Sequence, residues 1–174
     1  MKTTTVIAII SLLLTAGCSQ EKLTREQAHL FIEKEYNLPR EAYFSVYCGD
    51  PIHARKMLDS GMEEKGLVRV TRKRTFRERN DPLIRFTDKA LPFLLPLTED
   101  DRSHKIQKVK VADEKIGEIQ IGEKQPQGIP VSFTIVRNNP TPFITLLGKK
   151  ALEIRKYRVY FIESNEGWIL EKRY

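Results

Sequence analysis

Within six residues the chain places a thiol, a carboxylate and an imidazole: Cys48, Asp50 and His53. A thiol enzyme needs a base that lowers the cysteine pKa, and that base usually comes from a distant part of the fold where geometry can be held. Asp50 followed by Pro51 already has a complete role as a helix start, an N-cap with proline at the first helical position, which puts His53 on the first turn. The trio therefore reads as structural, and no catalytic residue is assigned. His29, His53 and His104 lie too far apart for a paired ligand spacing. The chain shows no Gly-rich phosphate loop, nucleophile elbow or paired-carboxylate motif. Neither a metal nor a cofactor is expected, and the chain reads as non-enzymatic.

The second feature with chemistry is a run of cations. Arg69, Arg72, Lys73, Arg74, Arg77, Arg79 and Arg85 are offset locally only by Glu78 and Asp81. Arginine forks match phosphate and carboxylate geometry, so the run could meet an anionic lipid, a glycan or an acidic envelope protein. Basic strand faces also protect exposed edges from aggregation, and that solvated reading stays open.

The compartment comes from the first eighteen residues. Lys2 precedes an apolar run from Val6 to Leu14 broken only by Ser11, which is too short to span a bilayer and of the length of a secretory h-region. It ends in Leu14, Thr15, Ala16, Gly17 and Cys18, small residues leading to a cysteine. This box resembles the lipobox of bacterial lipoproteins, with Leu14 one step before the position where that family most often has leucine. The resemblance implies a diacylglycerol-modified and palmitoylated Cys18, cleavage before it, and attachment to a membrane. Ser19, where inner-membrane lipoproteins usually have aspartate, implies the periplasmic face of the outer membrane.

Cleavage would leave a basic chain of about 157 residues, enough for one domain or two small ones. The full sequence carries 30 basic and 23 acidic residues, net +7. On a membrane surface such a balance favours anionic partners, and the export signal argues against nucleic acid. With Cys18 acylated, Cys48 has no intramolecular partner and is expected as a free thiol packed like a small hydrophobe.

Local signals place the elements. Thr24 with Gln27 makes a capping box for a helix to about Tyr36, burying Leu30 and Phe31. Tyr43, Phe44, Val46 and Tyr47 predict a strand. Ala54, Met57, Leu58, Gly61 and Met62 form an apolar stripe on a helix that Gly66 ends, with Leu67 folding back on Met62. Strand-like runs 67–77 and 83–86 flank a turn, and Thr87 could cap a short helix. Residues 96–103 read as an acidic connection. Strands are then expected from Ile106 to Val111, from Ile116 to Ile121 after a turn near Asp113 and Glu114, and from Ile129 to Ile135. A short helix is expected over 143–152. A final hairpin pairs Tyr157, Val159 and Phe161 with Trp168 and Leu170.

The helix, basic hairpin and Thr-capped helix with Lys89 and Ala90 resemble the second half of a winged-helix domain, with Arg69 to Arg85 as the wing. The expected fold class is α+β: a small helical, winged-helix-like half followed by an antiparallel β-meander. The expected domains are 1–17 signal peptide, 18–22 acylated tether, 23–98 winged-helix-like subdomain and 99–174 β subdomain. Function is expected to be that of a lipid-anchored accessory or binding protein of the cell envelope. The alternative is a periplasmic inhibitor or immunity-type protein that neutralises a toxin or hydrolase.

Overall fold

The computed structural model describes residues 22–78 and 81–171, with only the backbone for Arg77 and Leu152. Residues 1–21, where a signal segment and the acylated Cys18 are expected, and Arg79 lie outside the described residues. Thr24 caps helix α1 (Arg25–Tyr36), accepting from the Gln27 N–H while the Gln27 side chain accepts from its own. The buried face carries Ala28 and Ile32. Leu30, expected inside, is 65% exposed.

Strand β1 (Arg40–Tyr47) follows, and it overturns the expected fold class. Its even-numbered residues Ala42, Phe44 and Val46 are apolar and need a sheet to pack on. They find it by pairing β1 antiparallel along its length with β4 (Ile106–Ile121), which the sequence reading assigns to a different half. The molecule is therefore mainly antiparallel β. One curled sheet has the strand order β1-β4-β5-β6-β7, completed by β5 (Ile129–Asn138), β6 (Arg155–Ser164) and β7 (Gly167–Glu171). A winged-helix-like half does not precede a separate meander.

Between β1 and β4 the chain makes a small satellite. Asp50 caps α2 (Pro51–Asp59), accepting from the Ile52 N–H at 2.7 Å. The helix ends sooner than its apolar stripe implies. Gly61 sits at φ +68°, the Met62 N–H returns to Met57 O, and the Gly61 N–H returns to Leu58 O, the paired bonds of a Schellman cap. Gly66 at φ +71° repeats the device one turn on, with the Leu67 N–H on Met62 O. The chain then forms the two-stranded hairpin β2 (Val68–Val70) and β3 (Ile84–Phe86). The strand expected over 67–77 stops at Val70, since residues 71–75 make no ladder. A 3-10 turn, Asp88–Phe93, replaces the expected helix. The Thr87 hydroxyl does not cap it and donates instead to Gly66 O at 2.6 Å.

The acidic connection contains a short helix, α3 (Glu99–Ser103), set by a capping box between Thr98 and Asp101. The expected turn at Asp113 and Glu114 is absent, because β4 runs straight through it as a sixteen-residue strand. Two irregularities hide its alternation. Ala42 faces Ala112 while Tyr43 faces Lys110, so Val111 is an extra residue; a second shift lies between Ile116 and Ile119. Each flips the parity of the buried face, which runs Val109, Val111, Ala112, Glu114, Ile116 and Ile119.

That face carries two cores. One joins Val46, Met57, Met62, Val68, Ile84 and Val109 to Phe143 and Leu146 of the 3-10 segment Pro142–Leu152. The other joins Ala28 and Ile32 to Ile116, Ile119, Phe133, Ile135, Val159 and Phe161. Phe161 is fully buried, as its spacing predicts, and Trp168 packs on the same core while half-buried.

Candidate functional site

The local trio resolves into structure. Asp50 is occupied as the α2 cap. His53 Nδ1 accepts the Tyr47 N–H at 3.1 Å, and its ring lies against Tyr47 and Phe44. The half-buried Cys48 thiol donates weakly to Val46 O at 3.7 Å, and burial raises its pKa despite a lowering backbone hydrogen bond from Gln107. A thiol held protonated is a poor nucleophile. Among the described residues, no three His, Cys, Asp or Glu side chains group as a metal site, and no helix is long and apolar enough to cross a membrane.

Two members of the basic run, Arg69 and Arg85, share one face of the hairpin. Val68 and Val70 point inward and Ile84 is buried, so Arg69 and Arg85 point out. The register sets these two arginines directly opposite each other. Arg85 has Asp81 at 3.1 Å, and Arg72 pairs with Glu63, whose other oxygen accepts the Val70 N–H at 2.8 Å. These bonds hold the Glu63 carboxyl below its usual range, the Val70 N–H first and Arg72 second. Lys73 is exposed and Arg74 half-buried. Phe76 stands in the connecting loop at 88% exposure.

A second cluster joins residues that the sequence keeps far apart. Glu114, on the inward face of β4 where the two cores meet, is opposite Arg40 of β1 on one side and Arg137 of β5 on the other. Its side chain is 5% exposed. Arg40 reaches Oε2 through Nε at 3.1 Å and Nη2 at 3.0 Å. Arg137 Nε lies 3.3 Å from Oε1, and Arg155 Nη2 approaches the same oxygen from β6. Burial alone would raise the Glu114 pKa, but Arg155 and then Arg40 reverse it, so the carboxyl titrates below its usual range. Three cations against one anion leave the row positive. It lines a cleft of about 390 Å³ whose other wall includes Val111 and Leu147.

The sequence reading missed this row altogether. Arg40, Arg137 and Arg155 carry no shared spacing, and Glu114 passed for a turn residue. A polar residue in an alternating apolar strand would have been the available signal, but the Val111 bulge disguises it.

What the geometry defines is a curled antiparallel sheet with an exposed cationic arm and a row of arginines around a buried carboxylate. No protein family model, characterised protein or solved structure matches the chain.

Proposed function

We propose that this chain is a lipid-anchored, non-enzymatic binding protein of the bacterial cell envelope. It is held at the periplasmic face of the outer membrane through acylated Cys18, and it engages an anionic partner with the β2–β3 arm. One observation carries the partner's charge: Arg69 and Arg85 face each other across the exposed side of the hairpin. Like charges directly opposed destabilise a ribbon. Asp81 offsets Arg85 from within the chain, which leaves Arg69 as the charge that an anionic lipid, glycan or acidic protein lying across the hairpin would meet. Phe76 in the connecting loop offers an apolar anchor of the kind that dominates interfaces.

The test uses the full chain in nonionic detergent, loaded with envelope extract and eluted along a salt gradient. The wild type should retain a component to higher salt than an Arg69→Glu, Arg85→Glu variant. Identical elution would leave the arm as a solubility feature. The anchor is tested separately: Cys18→Ser should take up no labelled palmitate and leave the membrane fraction.

A further inference from the structure

The arginine row has more positive charge than its own carboxylate can balance, and the surplus is arranged for a ligand. Arg40, Arg137 and Arg155 surround the buried carboxylate of Glu114, a net of two positive charges around one anion. Glu41, which also lines the cleft, and Asp113 are engaged by Lys110, whose Nζ lies 2.9 Å from Glu41 and 2.7 Å from Asp113. Arg137 Nη1 is spent on the Lys150 carbonyl, which fixes the guanidinium against the 3-10 segment. Arg137 Nε lies 3.3 Å from Glu114 Oε1 and Arg155 Nη2 shares that oxygen, and both arginines also line the cleft. Three guanidinium charges share one carboxylate, and an anion entering the cleft lowers their mutual repulsion. Their cleft has room for one, since about 390 Å³ far exceeds the ~30 Å³ that a single water occupies.

We infer that the cleft between β1, β4 and the 3-10 segment Pro142–Leu152 is a binding site for a phosphate group, held by Arg40, Arg137 and Arg155 with Glu114 setting their positions. Charge selects the ligand class. A phosphate monoester or the free ion carries roughly −1.5 to −2 at neutral pH and matches the surplus, whereas a carboxylate would leave one guanidinium unbalanced. Its several oxygens can also accept from two forks at once. Val111 and Leu147 give the cleft an apolar wall beside the guanidinium groups. The site is independent of the lipid anchor and of the β2–β3 arm.

The experiment is calorimetric titration of the full chain in nonionic detergent with inorganic phosphate and with glycerol 3-phosphate, against acetate and chloride at equal ionic strength. Saturable binding of either phosphate, with none of acetate, is expected. Tighter binding of the ester would assign an esterified source such as a lipid headgroup or sugar phosphate, and tighter binding of the ion would assign free phosphate. Arg155→Gln should weaken binding about tenfold or more, while Arg69→Glu with Arg85→Glu should leave it unchanged. Because Arg155→Gln perturbs a buried network, Glu114→Gln supplies a second readout. It removes the resident anion, so phosphate should raise its melting temperature more than it raises that of the wild type. Phosphate that acts no differently from chloride would overturn the assignment. So would binding that survives Arg155→Gln or is abolished by the arm variant.

Discussion

Glu114 can be ionised in a nearly closed setting because two neighbouring strands and β6 each bring it a guanidinium. Asp101 shows the same principle on a smaller scale. Its Oδ2 accepts from Lys108 Nζ at 2.7 Å, from the Thr98 N–H at 2.9 Å and from the Thr98 hydroxyl at 2.7 Å. These bonds, the Lys108 one foremost, lower its pKa from 3.8 to about 2. A carboxyl whose folded pKa is depressed stabilises the fold above its unfolded pKa and loses that contribution as pH falls through the folded value. Melting temperature should therefore drop between about pH 4 and pH 2, and Asp101→Asn should flatten that part of the profile while lowering stability at neutral pH. A thermal-melt series across pH for the two proteins checks it, and parallel curves would show that Asp101 contributes nothing.

Among the elements, β4 does most to arrange the others, and it does so through its irregularities. At the second one, Gly117 lies where a Cβ would meet Thr134 Oγ1 at 2.5 Å and Val136 Cγ1 at 2.9 Å. Thr134 Oγ1 meanwhile accepts the Glu118 N–H at 2.9 Å, so the side chain that crowds Gly117 also satisfies the bulged backbone. Gly117→Ala should lower stability by about 1–3 kcal/mol through this overpacking. Denaturant midpoints measure it, and an unchanged midpoint would show that β4 can shift without loss. Local readings succeeded where one element contains its own evidence, as in the Thr24 capping box, the Asp50–Pro51 helix start and the β6–β7 hairpin. They failed at β4, where the Val111 bulge put two adjacent residues on one face and made a continuous strand look interrupted.

For the whole molecule, the decisive fact is that β4 passes through both cores. Val109 and Val111 belong to the one beside α2, and Ile116 and Ile119 to the one beneath α1. Neither core can lose this strand while the other keeps its full ladder, so unfolding should be a single cooperative transition. The probes are in place: Cys48 packs against the first core and Trp168 against the second. In a Cys18→Ser chain, exposure of the Cys48 thiol and the change in Trp168 fluorescence should share one denaturant midpoint. Separate midpoints would mean that the two cores fold independently.

The amino-acid sequence by itself determined what depends on neighbours along the chain: the helix caps, the terminal hairpin, the basic arm and the resemblance of residues 1–18 to a lipoprotein signal. The tertiary structure alone decided that β1 joins β4 and that Arg40, Arg137 and Arg155 meet at Glu114. The physical reason is separation. A cap is settled within three or four residues, whereas an arginine row assembled across four strands depends on register and bulges, which are set only when the sheet closes over its cores.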